Sequence, residues 1–190
     1  MLESGQSGHP KDPLIRIDII VDTVCPWCYV GKARFEKALR SRAYENIMIG
    51  WRPFQLNPHM PREGQDRESY LIDKFGSLQR AERSYQSLQK AGEKEGVAFH
   101  FDRIQSTPNT VDSHRLIAFA GRAGLQNDVV DALFKGYFSF GRDIGNPEIL
   151  SDIAAETSLD RAETLEYLKS ETDRDMVMAE DDMVRDLGVN

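Results

Sequence analysis

The stretch DTVCPWCYVG, residues 22–31, limits this chain more than any other. It carries both cysteines of the protein, Cys25 and Cys28, with Pro26 and Trp27 between them. The residues before it, LIRIDIIVD (14–22), form a β-branched apolar run. That run is long enough for a buried strand and too short for a helix. From residue 25 to residue 40 the pattern changes to helical period. Cys28, Gly31, Phe35, Ala38 and Leu39 fall on one face, and Lys32, Arg34, Lys37 and Arg40 on the other. Asp22 or Thr23 suits the N-cap, and Pro26 suits the first turn, where its missing N–H costs nothing. NIMIGWRPFQL (46–56) then reads as a second strand ending in a proline-containing bend. Strand, helix and strand in that order spell a parallel, right-handed βαβ unit.

Everything after residue 56 reads as helix and connector. Helices are expected at residues 67–75, 77–95, 110–123, 127–140, 147–156, 160–170 and 171–187. A loop is expected over FHFDRIQSTPNT (99–110), and Gly or Asn falls near most boundaries. In the 77–95 helix, Leu78, Ala81, Tyr85, Leu88 and Gly92 make one stripe. The last helix buries Met176, Ala179, Met183, Val184 and Leu187 on this reading, turns its acidic residues outward, and stops at Gly188. Residues 1–13, rich in Gly, Ser and Pro, read as a disordered arm. They show no basic and apolar leader pattern, so a cytoplasmic protein is expected. Two strands alone leave unpaired edges and little core, since three or more are normally needed. Further sheet strands are therefore expected outside the 190 residues or from another chain.

Composition removes other classes of function. A net charge of −7 argues against nucleic acid, whose phosphates call for clustered Lys and Arg. No apolar run approaches the roughly 18 residues of a membrane helix. A structural zinc site needs four ligands. His9, His59, His100 and His114 are not spaced as a pair, so no metal is expected. The acidic residues after Glu171 are spread by helical spacing over a solvated face. A structural disulfide between Cys25 and Cys28 would close a tiny loop and constrain the unfolded chain little. A redox pair fits the placement better. Cys25 sits where a strand becomes a helix, and the positive helix end stabilises a thiolate there. Cys28, one turn on, can close on it as the resolving thiol, with Lys32 and Arg34 adding positive charge nearby. Trp27 is expected to be exposed and to meet substrate, whereas Trp51 belongs in the core.

VCPWCYVGKARFEKAL, WRPFQLNPHMPREG, YLIDKFG and TPNTVDSHRLIAFA together resemble the FrnE-like branch of the DsbA family, in the thioredoxin superfamily. That branch is close to the 2-hydroxychromene-2-carboxylate isomerases of the kappa glutathione-transferase class. The resemblance runs from about residue 15 to residue 190. It implies an α/β fold, a thioredoxin-like domain with a large all-helical insertion. Residues 14–60 and 171–190 would form the incomplete thioredoxin-like part and residues 61–170 the insertion. It also implies thiol–disulfide exchange, with Cys25 attacking and Cys28 resolving. The family's cis-proline loop and C-terminal strands have no match in this chain. Partners would be protein or small-molecule thiols and disulfides. No cofactor would be tightly bound, with glutathione as a candidate co-substrate, and the helical insertion would offer a homodimer surface. Phe54, Asn57, Asn109, Thr110 and His114 are the candidate substrate contacts. Asn109 or Thr110 also reads as a helix cap. Two other functions compete. One is a glutathione-dependent isomerase or transferase, suggested by TPNTVDSHR. The other is a chaperone-like binding protein, suggested by the unmatched loop.

Overall fold

The computed structural model describes residues 15–41 and 47–190. The arm expected at residues 1–13 lies outside them. The chain enters on β1 (Ile15–Val21), crosses through α1 (Pro26–Ser41) and returns on β2 (Ile47–Pro53). The two strands pair in parallel, from Ile15 opposite Ile47 to Val21 opposite Pro53. Their isoleucines suit a pleated, half-buried surface. Burial deepens toward the C-terminal ends, where Val21, Trp51 and Pro53 are closed to solvent. Trp51 is a core residue, and its indole N–H donates to Asn127 Oδ1 at 2.5 Å.

A helical layer follows: α2 (Arg67–Phe75), α3 (Leu78–Glu95), α4 (Val111–Gly121), α5 (Gln126–Phe140), α6 (Pro147–Ala155), α7 (Arg161–Lys169) and α8 (Arg174–Asp186). The punctuation in the sequence sets these boundaries. Ser77, Asn146 and Asp160 accept backbone N–H groups of the first turns they precede. Gly76 and Gly96 end α2 and α3 in the left-handed conformation. Residues 99–110 are not all loop. They hold a 3₁₀ turn, Phe101–Arg103, and a short strand β4 (Ser106–Thr107) antiparallel to β3 (Gln65–Asp66). A two-residue strand is too short to leave a periodic signal. Among the described residues these two pairs are the only sheets, and no peptide bond is cis.

The core lies between the βαβ unit and the helices. Leu116, Leu133, Phe134, Ile144, Leu150 and Ile153 are fully buried within it. Tyr29 joins α1 to this core, stacking on Phe134 with ring centroids 5.2 Å apart and meeting Phe99 edge-on at 5.9 Å. The inner face of α1 is therefore Cys28, Tyr29, Val30 and Ala33, which keeps Cys28 from the expected face but is rotated from the rest of it. Gly31 and Ala38 are exposed. Lys32, expected outside, is buried between Glu36 and Asp131, the latter at 2.6 Å. Its partner on α5 lies far along the chain, so local periodicity does not reveal it.

α8 departs from expectation in the same way. Val177 and Val184 are buried, but Met176, Ala179, Met183 and Leu187 face solvent. Asp181 points inward instead. Its carboxylate accepts Gln55 N at 2.9 Å and Gln55 Nε2 at 3.1 Å, with Arg185 beside it. This ties α8 to the bend after β2. Asp181→Ala would leave the Gln55 N–H unpaired and is expected to cost about 1–3 kcal/mol of unfolding free energy, read from denaturant midpoints. The helix closes as expected, with Gly188 at φ +89° and Val189 N donating to Val184 O at 3.2 Å.

Candidate active site

The site is built on the turn between β1 and α1. Cys25 N donates to Asp22 O at 3.0 Å, closing the turn, and Cys28 N and Tyr29 N then take up Cys25 O as the helix begins. Asp22 does not cap α1. Its carboxylate, 1% exposed, accepts Leu56 N at 2.7 Å and Val24 N at 3.4 Å. It therefore holds the bend after β2 against the cysteine turn. Thr23 is held from the other side by a 2.7 Å hydrogen bond to Ser113 on α4. Ser113 donates its own proton to Thr110 O at 2.8 Å, so Thr23 is the donor to Ser113.

Both thiols are free and half-buried, while Trp27 between them is 54% exposed. The Cys25 thiol is held below its ordinary range. The main cause is a hydrogen bond from the Cys28 S–H, helped by the backbone N–H groups of Cys28 and Trp27 at the helix start. Burial and the Asp22 charge act against this. The Cys28 thiol is pushed up by the same hydrogen bond, by burial and by the charge on Cys25. The two thiols are thus unequal, Cys25 the more readily ionised and Cys28 the more firmly held as a thiol. Lys32 and Arg34 take no part. Lys32 is held by Glu36 and Asp131, and Arg34 by Glu95 at 3.0 Å. Cys28→Ala removes the donor to the thiolate, so the midpoint of Cys25 alkylation against pH is expected to move up toward the ordinary thiol range near ~8.5. Iodoacetamide rates across pH, followed by mass, would show it.

A family model described as a DSBA-like thioredoxin domain matches residues 16–190. The chain belongs to that family. Among solved DSBA-like structures, a probable DsbA oxidoreductase from Streptomyces coelicolor is 31% identical, with a TM-score of 0.82 over 92% of this chain and 76% of that one. The uncharacterized protein YwbO of Bacillus subtilis is 28% identical over 162 residues, 85% of this chain and 76% of YwbO. The cytosolic disulfide reductase DsbM from Pseudomonas aeruginosa, solved with GSH, shares the fold. Its TM-score is 0.65 at 16% identity, over 91% of this chain and 81% of DsbM. Thiol–disulfide chemistry is therefore the family's chemistry, on a mixed α/β thioredoxin fold rich in helices.

The remaining candidate residues fall into two groups. Asn57 lines an open groove of about 500 Å³ beside the bend, together with Leu56, Pro58, Met60 and Tyr70. Asn57 Oδ1 accepts from Tyr70 at 3.2 Å, and its buried Nδ2 has no partner. Asn109 ties the groove to α4, donating to Met60 O at 2.8 Å and accepting Val111 N at 3.0 Å. Asn109, not the Thr110 side chain, therefore serves the helix start. Phe54, Thr110 and His114 are buried. The Phe54 ring lies under Arg185, with the guanidinium carbon 4.3 Å from the ring centroid. His114 Nε2 lies 3.2 Å from Phe54 O and 3.6 Å from Asp22 Oδ1. The sequence reading missed Asp22 as the carboxylate beneath the pair and Ser113 as its brace. A polar residue at the end of a buried strand was the available signal. Among the described residues no group of three Cys, His, Asp or Glu side chains is placed to hold a metal, and no helix is long and apolar enough to cross a membrane.

Proposed function

We propose that this protein is a thiol–disulfide oxidoreductase of the FrnE-like type, acting through its CPWC pair on protein or small-molecule disulfides in the cytoplasm. The supporting observation is the unequal pair itself, a stabilised Cys25 thiolate at a helix start and a Cys28 thiol that donates to it. Cys25 attacks one sulfur of the substrate disulfide and releases the first thiolate. Cys28 then attacks Cys25 Sγ, closes the Cys25–Cys28 bond and releases the second. Pro26 starts the helix that carries the pair, and Trp27 offers an exposed ring for substrate. Residues 14–60 and 171–190 serve as the thioredoxin-like part, and residues 61–170 as the helical insertion over it. A stabilised thiolate favours the reduced form, so the disulfide is a stronger oxidant than a pair without that stabilisation would be. Equilibration with glutathione buffers tests this. A single defined two-electron couple, together with isomerisation of a scrambled disulfide protein, is expected. No couple in the intact protein would end the proposal.

A glutathione-dependent isomerase or transferase is the second reading. The open groove lined by Asn57, Met60 and Tyr70 favours it, because its polar and apolar walls could take a small peptide such as glutathione. Saturable binding of glutathione to protein with both cysteines changed to serine, weakened by Asn57→Ala, is the expected result. No binding by calorimetry would rule it out.

A further inference from the structure

Two hydrogen-bonded ties hold the cysteine turn to the groove wall formed by residues 56–61. At one end Leu56 N donates to the Asp22 carboxylate at 2.7 Å. At the other end the connection runs through the start of α4. Thr23, 1% exposed, donates to Ser113 at 2.7 Å, and Ser113 donates to Thr110 O at 2.8 Å. One residue earlier, Asn109 donates to Met60 O at 2.8 Å. Within the wall Met60 N donates to Asn57 O at 3.0 Å, so the segment between the two ties is itself a closed turn. The groove has an apolar lining of Leu56, Pro58, Met60, Pro61 and Tyr70. Leu56 is 39% exposed, so apolar surface stands open beside the turn that carries Cys25.

We infer that Thr23 and Ser113 are positioning residues that fix the distance from Cys25 to this groove, and that the substrates which depend on it are peptide disulfides with apolar residues beside the bridged cysteine. The inference rests on the oxidoreductase reading. Such a substrate is held at two points, a side chain in the groove and a sulfur at Cys25. The first contact helps the second only if their separation is set in advance, since a misplacement of about 1 Å removes much of the gain. α4 supplies the frame, because it is closed to solvent from Val111 to Ile117. Without the Thr23 bond the turn is joined to the wall through Asp22 alone and can swing about that point. A disulfide too small to reach the groove gains nothing from the frame. The step that is aligned is the first exchange. The Cys25 thiolate bonds to one substrate sulfur, the substrate S–S bond breaks, and its electron pair leaves on the other sulfur as a thiolate. Thr23 and Ser113 are both buried, so they act through the turn and touch neither substrate nor the reacting sulfurs.

Two disulfide-linked peptides test this, one with leucine on both sides of its cysteine and one with glycine there. Reduced protein is mixed with each, and the rates are divided by those of free glutathione with the same peptide. The wild-type chain should prefer the leucine peptide about tenfold, as partial burial of one such side chain gives. Thr23→Val keeps the shape of the side chain and loses the donor, so the preference should fall to about twofold or less. Thr23→Ser keeps the donor and should keep the preference. If Thr23→Val does not fold, Ser113→Ala removes the same bond from the other side and should lose the preference in the same way. A purely structural role would change both rates together and leave their ratio intact, which would overturn the assignment of Thr23 and Ser113. A wild-type protein that attacks both peptides equally would overturn the substrate class and leave the oxidoreductase reading standing. If it attacks neither faster than glutathione does, the oxidoreductase reading fails and this inference with it.

Discussion

Cys28→Ala protein is expected to accumulate as a mixed disulfide through Cys25 and to stop turning over. The Cys25 thiolate keeps the stabilisation from the N–H groups at the start of α1, so the attack still proceeds. The second sulfur is gone, and no other cysteine exists in the chain to replace it. Exposure to glutathione disulfide should therefore add one glutathione per molecule, visible by intact mass and removed by dithiothreitol. Cys25→Ala should add far less, because burial and the Asp22 charge still oppose a Cys28 thiolate once Cys25 is gone. Steady-state disulfide reduction should fall on the order of 1,000-fold or more in either variant, as when one member of a cooperating catalytic set is removed. Adduct formation in Cys25→Ala at the rate seen for Cys28→Ala would reverse the assigned roles.

The largest effect on stability is expected at Arg115. It is fully buried, and all its guanidinium nitrogens are engaged. Nε donates to Thr172 O at 2.8 Å, Nη1 to Asp112 and Leu168 O at 2.8 and 3.1 Å, and Nη2 to Tyr167 O and Ser170 O at 2.9 Å each. The guanidinium also lies over the Tyr167 ring, 4.9 Å from its centroid. These carbonyls close the last turn of α7 and the bend into α8, where a helix end has unpaired acceptors. Arg115→Ala strands them and leaves Asp112 with Arg174 alone, at 2.7 Å. The expected loss is about 3–5 kcal/mol, a large part of the 5–15 typical of a domain. Arg115→Lys keeps the charge but not the planar fork, so it should recover only part of the loss. Urea unfolding of the three proteins would measure this. A loss below about 1 kcal/mol for Arg115→Ala would mean that solvent replaces the guanidinium at those carbonyls.

Much of this molecule is legible in its sequence. The run of isoleucines before the cysteines, the proline that starts α1 and the second apolar run give the βαβ unit with its parallel pairing. Ser77, Asn146, Asp160 and the glycines after α2 and α3 give helix ends to within a few residues. The cysteine pair at the strand-to-helix junction points to the thioredoxin-like family to which the chain belongs. What is not legible is the charge that turns inward. Periodicity treats every Lys, Asp and Arg as a surface residue, and here Lys32, Asp22, Asp181 and Arg115 are all buried. Each is offset by a group distant along the chain: Asp131 for Lys32, Leu56 N for Asp22, Gln55 for Asp181 and the α7 carbonyls for Arg115. No local window contains both halves of such a pair. The same limit hid the Asp22–His114 contact, whose members are joined only by the fold.

α4 is closed to solvent on every side from Val111 to Ile117. Three consecutive residues there hold three different parts of the protein. Ser113 bonds the cysteine turn, His114 faces Asp22 and the bend after β2, and Arg115 closes α7. A helix gripped this way cannot rotate or slide without breaking all three attachments at once. Active site and helical layer thus belong to one cooperative unit. The amides of this turn should exchange with deuterium only when the whole chain opens. Among the described residues, the exposed groove at Leu56 and Pro58 and the Trp27 ring lie outside this grip, and adaptation to differently shaped substrates would fall to those surfaces.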